Sequence, residues 1–363
     1  MNYRFVVAGA GGTGGHVFPA LAVARILRDR GHEVLFIGTK QGIESRLVPA
    51  AGFPMEHIKI GGLNRVGLKR QLQTAVELPV SAGVSTGILG SWKPDAVFSM
   101  GGFVAGPVVI AALLRRIPIV VMEPNAVPGF TNRKLAPFVY RALVNFEETA
   151  KWFPPGKTEV TGVPIREEFF KLPRKAGGVF TLLITGGSLG ARALNRASRE
   201  SWPLFRKNQT PIRIVHQTGA AEHEALAREF AVAGIDGEVV PFINGMAEAF
   251  SKADLVLGRA GAGGVGEIAA AGMASILVPL PFAADNHQRK NAEALVREGA
   301  ARMVLNDELS GERLFREVEN LRGDPETLTG MRERVRIFAR PDAAERAAEV
   351  MEQAARQKNS RKQ

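Results

Sequence analysis

The chain has 363 residues, more than twice a typical domain length of roughly 150, so two domains are expected. Its 45% hydrophobic and 23% charged residues exclude a wholly disordered chain, and 40 Gly with 21 Pro and no three-residue period mean tight turns, not collagen. Zero Cys removes disulfides, thiolate metal sites and cysteine nucleophiles, while a net charge of +11 admits nucleic acid, anionic lipid or a phosphorylated substrate.

Taken in chain order, apolar runs predict strands at Arg4–Ala8, Val34–Gly38, Ala96–Met100, Ile117–Met122 and Arg141–Val144. Longer amphipathic stretches predict helices over Pro19–Arg30, Glu44–Ala51, Leu68–Ser91, Val104–Arg115 and Thr131–Ala136. Around Gly162–Lys175 the alternation breaks, with Pro164 and Pro173 reading as a linker. It restarts with strands at Phe180–Thr185, Arg213–Gln217, Gly237–Pro241, Asp254–Gly258 and Ser275–Pro279. The helices between are Ala191–Leu204, Ala221–Ala233, Gly245–Ala253 and Gly264–Gly272. Near-continuous apolar strands, each followed by a helix, imply parallel sheets covered on both faces. The expected class is therefore α/β: two doubly wound, Rossmann-like domains facing across a cleft, with ligands at the carboxyl ends of the strands. The expected divisions are 1–163, 164–340 and a C-terminal helix with a basic tail, 341–363, packing back on the first domain. Neither a signal peptide nor a run of 18 apolar residues is visible, so a cytoplasmic chain, working at a surface if at a membrane at all, is expected.

Four glycine clusters follow predicted strands. Gly9, Gly11 and Gly14 fit the dinucleotide pattern G-x-G-x-x-G, but the acidic residue expected about 20 positions on is missing at Gly38-Thr39-Lys40. An NADP site remains arithmetically open through Lys40, whereas His16 stands where a Walker loop needs Lys. What survives is a backbone loop on a helix N-terminus that a polar or anionic group can approach. Gly101-Gly102-Phe103 and Glu123-Pro124-Asn125 follow the next strands, Glu123 and Asn125 being either ligand-facing or simple loop caps. In the second half Thr185-Gly186-Gly187-Ser188 joins strand to helix, and Ser188 can both cap that helix and donate to a phosphate oxygen. Gly258 to Glu267 is denser still, with Glu267 placed for a ribose diol and Gln288 offering an amide to sugar hydroxyls. Arg166, in the linker, is either solvated or a bidentate partner for a diphosphate. There is no D-x-D and no His/Asp/Glu cluster at metal spacing, so no metal is expected and a departing diphosphate is left to helix N-termini and Arg.

In this order and spacing, GGTGGHVFPALAVA, GGFVAGP, EPNAVPGFTNRKLA, TGVPIR, TGGSLGARALN, PFI, RAGAGGVGEIAAAG and PFAADNHQRKNA resemble the MurG family of N-acetylglucosaminyltransferases, from Gly11 to Ala292. The resemblance implies the glycosyltransferase B fold and metal-independent, inverting transfer of GlcNAc from UDP-GlcNAc to the muramoyl 4-hydroxyl of lipid I, giving lipid II, with no cofactor. It implies that Thr13, Gly14, Gly15 and Asn125 lie near GlcNAc, Arg166 and Ser188 at the diphosphate, and Ile243 at uracil through its backbone. It further implies Glu267 at the ribose, Ala262 as a backbone donor to a GlcNAc hydroxyl and Gln288 at the sugar, with His16 and Glu123 on the acceptor side. Phe103 departs from members that carry Tyr, so that hydroxyl is absent here.

A base must take the proton of the attacking hydroxyl, and His16 is the preferred candidate, with Glu123 as the alternative. A polyprenyl acceptor implies work at the cytoplasmic face of the bacterial membrane. Arg65, Lys69 and Arg70 beside Leu72 and Val76 read as a patch for an anionic membrane surface, against the plainer reading of an amphipathic core helix. Other cell-wall synthesis proteins are implied as partners; nucleic acid is disfavoured because the charge is dispersed without interleaved aromatics. Rival readings are another lipid-acceptor glycosyltransferase of this fold, a sugar-nucleotide epimerase, or an NADP-binding reductase.

Overall fold

The computed structural model describes residues 2–9, 14–61, 68–173 and 175–360. The chain divides into two compact units, Met1–Arg166 with Arg340–Gln363, and Glu167–Ala339.

The first unit runs β1 (Arg4–Ala8), α1 (Gly14–Asp29), β2 (Glu33–Gly38), α2 (Glu44–Ala50), β3 (Met55–His57), α3 (Leu68–Trp92), β4 (Ala96–Ser99), α4 (Gly102–Leu114), β5 (Ile119–Glu123), α5 (Phe130–Leu135), β6 (Arg141–Val144) and β7 (Thr158–Val160). Its seven strands are ordered β3-β2-β1-β4-β5-β6-β7 and each pairs in parallel with its neighbours. Two cores flank this sheet: Phe5, Phe36 and Phe98 pack with Leu27 of α1 on one face, and Val6, Val97 and Val121 pack with Val108 of α4 on the other. Side chains alternating between two buried faces favour apolar residues at successive positions, hence the near-continuous apolar runs, with polar residues such as Ser99 and Glu123 at strand ends.

The second unit continues with β8 (Phe180–Thr185), α6 (Arg192–Lys207), β9 (Ile212–Gln217), α7 (Ala220–Ala233), β10 (Asp236–Val240), α8 (Met246–Lys252), β11 (Leu255–Gly258), α9 (Ala262–Ala271), β12 (Ser275–Leu277), α10 (His287–Arg297), β13 (Arg302–Met303), α11 (Gly311–Arg322) and α12 (Pro325–Arg334). The strand order is β10-β9-β8-β11-β12-β13, again parallel throughout. Its core centres on Leu182, Ile184, Leu255, Leu257, Trp202 and Phe205. The last helix, α13 (Ala343–Ser360), belongs to the first unit and packs on α1 and β4, burying Ala347, Val350, Met351 and Ala354. Arg346 of α13 pairs with Glu159 of β7, and Glu352 meets Arg30 and His32, so ionic contacts flank the apolar seam.

Each sheet reverses its strand order once, between β1 and β4 in the first unit and between β8 and β11 in the second. Crevices at such reversals, outside the carboxyl ends of the strands, are where open α/β sheets bind ligands. Both pairs of strands end in glycine clusters.

Candidate active site

In the first unit the loops leaving β1, β4 and β5 meet at one rim. Gly9 has φ 75°, and a Cβ built on it would lie 2.1 Å from the Gly101 carbonyl oxygen, so the two turns touch backbone to backbone. His16 does not sit in the loop but in the first turn of α1, which begins at Gly14, ahead of the expected start at Pro19. Its ring, half-buried, lies 3.8 Å from where a Gly102 side chain would begin. Gly14 and Gly15 share that turn, where backbone N–H groups lack intrahelical partners. Thr13 lies outside the described residues.

Glu123 ends β5 and is buried. Its Oε1 accepts from the Asn125 N–H (3.0 Å) and Nδ2 (3.1 Å), and its Oε2 from the Gly129 N–H (3.1 Å) and Asn132 Nδ2 (2.9 Å). Burial pushes its pKa above the ordinary carboxylate value, and these four donors oppose that rise without cancelling it. The carboxylate thereby folds the 124–129 segment around itself and orients Asn125. Thr149, whose hydroxyl donates to the Asn125 (3.2 Å) and Ala126 (3.1 Å) carbonyls, holds the same segment from outside. Asn132, which also donates to Met122 O at 3.2 Å, escaped the sequence reading; its signal is a polar residue on the buried side of an apolar-facing helix.

The end of β2 bears on the dinucleotide reading. A carboxylate does return there: Glu44 Oε1 accepts from the Thr39 N–H (3.0 Å) and hydroxyl (2.8 Å), and the side chain is buried. It closes its own turn in place of presenting itself to a ribose. Arg166 is the last residue of the first unit; its exposed guanidinium lies 6.0 Å over the Phe18 ring of α1.

In the second unit the glycine loop after β8 behaves differently from expectation. α6 starts at Arg192 with Ala191 at the N-cap, so Ser188 does not cap it and stands exposed in the loop. The loop is held by backbone contact, since a Cβ on Gly190 (φ 74°) would lie 1.7 Å from Thr218 O. Gln217, buried at the end of β9, donates through Nε2 to Gly187 O (2.8 Å) and accepts from the Ile243 N–H at Oε1 (2.8 Å). It brings Ser188 and Ile243 into one assembly and leaves the Ile243 carbonyl outside that bond.

On the other side of the reversal, α9 begins at Ala262 with Gly261 at its N-cap, and Glu267 lies half-buried on this helix. Arg259 crosses to the end of β12, donating to Val278 O (3.1 Å) and Pro279 O (3.3 Å); burial lowers its pKa from the guanidinium's usual value. Asn291 donates to Ala260 O at 3.0 Å. Gln288 accepts the Leu280 N–H at Oε1 (3.0 Å), which turns its amide nitrogen toward Gly261. The helix carrying Gln288 starts at His287, because Asp285 and Asn286 both adopt left-handed backbone (φ 51° and 53°).

Of the proposed surface patch, Arg65 lies outside the described residues, as do the side chains of Lys69, Arg70 and Leu72, whose backbones begin α3. Val76 is 69% exposed, Val80 64% and Val84 47%, one stripe at four-residue spacing. Among the described residues no helix is long and apolar enough to cross a membrane, and no group of three or more His, Asp or Glu is placed to hold a metal.

Residues 6–144 match the glycosyltransferase family 28 N-terminal domain and residues 181–347 its C-terminal domain. The chain is 56% identical over 355 residues, 97% of its length and 96% of the relative's, to the UDP-N-acetylglucosamine--N-acetylmuramyl-(pentapeptide) pyrophosphoryl-undecaprenol N-acetylglucosamine transferase of Solibacter usitatus. It is 42% identical to the Myxococcus xanthus protein of the same name, covering 96% of this chain and 92% of that one. The crystal structure of Acinetobacter baumannii MurG superposes with a TM-score of 0.82 at 34% identity, over 97% of this chain and 99% of that one. With family-specific sequence identity running through both halves, and with the two glycine-lined strand reversals of the glycosyltransferase B fold, the chain belongs to glycosyltransferase family 28, among the MurG N-acetylglucosaminyltransferases.

Proposed function

We propose that the chain transfers GlcNAc from UDP-GlcNAc to the muramoyl 4-hydroxyl of lipid I, with inversion and without a metal ion, giving lipid II. The observation that carries this reading is 56% identity over 97% of the chain to a transferase named for that substrate pair. The second unit is assigned the nucleotide sugar. Ser188 and the free N–H groups opening α6 meet the diphosphate, the Ile243 carbonyl accepts uracil N3–H, and Glu267 takes the ribose diol. Ala262 and Gln288 meet the sugar hydroxyls, as do Thr13, Gly14, Gly15 and Asn125, and Arg166 neutralises the leaving diphosphate. The 4-hydroxyl attacks the anomeric carbon as the bond to UDP breaks; its proton passes to the His16 imidazole, and the negative charge departs on UDP.

Transfer from labelled UDP-GlcNAc to a lipid I analogue is expected to proceed undiminished in EDTA; a requirement for magnesium or manganese overturns the metal-free mechanism. UDP at a hundred times its Kd is expected to stabilise the protein by about 2.7 kcal/mol, and NADPH not at all. A chain that ignores uridine nucleotides removes the donor site.

A lipid-linked acceptor requires work at a membrane surface, and we assign that surface to the cytoplasmic face. The support on this chain is the valine stripe of α3, exposed where a core helix would be covered, with basic residues in the sequence just before it. Replacing Val76, Val80 and Val84 together by Ser is expected to weaken binding to anionic vesicles at least about tenfold, and so is neutralising Arg65, Lys69 and Arg70. Sedimentation of vesicles with bound protein measures both, and unchanged binding rejects the patch.

A further inference from the structure

The side chain that organises the second unit's rim is one the donor assignment does not use. Gln217 is 1% exposed, and its carboxamide spends both ends on backbone: Nε2–H to Gly187 O at 2.8 Å, Oε1 from the Ile243 N–H at 2.8 Å. A second, longer contact runs from Nε2 to Thr185 Oγ1 at 3.4 Å, and that hydroxyl in turn accepts the Gly187 N–H at 3.3 Å. The two backbone segments it joins leave different strands, β8 and β10, which are not neighbours; β9, bearing Gln217, lies between them. The next two residues are equally committed. The Thr218 N–H bonds Val240 O at 3.0 Å and the Gly219 N–H bonds Pro241 O at 3.1 Å, while Gly190 and Gly219 pack against the 218 and 189 carbonyls.

We infer that Gln217 is a positioning residue for donor binding: one carboxamide fixes the separation between the loop bearing Ser188 and the segment bearing Ile243, so the site is preformed for a nucleoside diphosphate of one length. The inference rests on the donor assignment above. Only a group with a donor at one end and an acceptor at the other satisfies both partners, because Gly187 offers a carbonyl and Ile243 an N–H. Glutamate has the shape but, ionised, turns an oxygen toward the Gly187 carbonyl and forces the loop away. Protonated, it regains an O–H donor and becomes an isostere of Gln.

The chemistry gives a test that a merely structural role does not pass. In Gln217→Leu, the KM for UDP-GlcNAc is expected to rise at least about tenfold, since both loop contacts go, while kcat falls less than threefold and the lipid I analogue's KM is unchanged. In Gln217→Glu, UDP-GlcNAc affinity by calorimetry is expected to match that of Gln217→Leu at pH 8. Toward pH 5.5 it recovers relative to wild type, because the diphosphate of UDP-GlcNAc has no proton to gain in that range. Circular dichroism melts fix a temperature at which every variant is folded. Affinities within twofold of wild type in Gln217→Leu, or a Gln217→Glu profile parallel to wild type, overturn the inference. Wild-type protein that does not bind UDP-GlcNAc removes the donor assignment itself.

Discussion

His16→Ala is expected to lower kcat by about 10²–10⁴ and leave the KM for UDP-GlcNAc nearly unchanged, the signature of a lost proton acceptor in place of lost binding. Glu123→Gln is expected to act through stability instead. A carboxylate has about four lone-pair sites, and on Glu123 four N–H donors from residues 125, 129 and 132 fill them. To receive a proton from an acceptor hydroxyl, the carboxylate has to release one of these and loosen the loop it organises. Its upward-shifted pKa, taken alone, points to a general base; the four committed hydrogen bonds argue for His16 instead. A Gln amide sets an NH2 group against two of the donors, at a cost of about 1–3 kcal/mol for each one left unsatisfied. The urea midpoint should therefore fall while the pH profile of the surviving activity keeps the wild-type shape. Near-normal turnover in His16→Ala eliminates His16 as base. A Glu123→Gln protein of wild-type stability whose turnover is lost reinstates Glu123.

How far the sequence carries this far depends on the kind of signal each element leaves. Arg4–Ala8, Arg141–Val144 and Phe180–Thr185 are legible to the residue, because their buried interiors read as apolar runs that stand out from the polar and glycine-rich segments around them. Met55–His57, Thr158–Val160 and Arg302–Met303 are not: two or three half-exposed residues become strands only by pairing with a neighbour. The start of α1 at Gly14 is not legible, because Gly14 and Gly15 read as turn and Pro19 as a first helical residue. In the structure Pro19 lies inside the helix, the glycines forming the turn ahead of it. Ser188 as a cap failed in the same way, a local preference overruled by the backbone contact of Gly190 with Thr218. The glycine clusters of the strand reversals are readable from one dimension because they follow strands directly. Gln217 and Asn132 are not, since each earns its role from partners some 26 to 30 or 9 to 10 residues away.

Below neutral pH the second unit is expected to lose stability through His216, more than through any single carboxylate there. His216, on β9, is fully buried, and burial pushes its pKa down to about 3 from 6.5. Asn195 donates its Nδ2 to Thr218 O (3.0 Å) and Glu222 Oε2 (2.7 Å), so its Oδ1 must accept from His216 Nε2–H, which lies 3.0 Å away. The ring is thus held as the neutral Nε2–H tautomer, with no partner at Nδ1 to stabilise a second proton. The folded pKa lies below the unfolded one, so the unfolded chain takes up this proton first. The contribution is intact above about pH 6.5 and is lost as pH falls toward 3, the loss reaching about 2 kcal/mol at pH 5 and about 4 kcal/mol at pH 3. Glu123 in the first unit has the opposite sign: its raised pKa costs stability as pH rises above 4.5 and relieves that cost on acidification. Trp202 lies in the second unit and Trp92 and Trp152 in the first, so a protein with Phe at 92 and 152 reports on the second unit alone. Urea unfolding followed by its fluorescence between pH 7.5 and 5 should steepen with acid, and His216→Gln, which keeps an N–H for Asn195, should flatten the curve while costing about 1 kcal/mol at pH 7.5. Equal acid sensitivity in the two proteins means that His216 does not govern it.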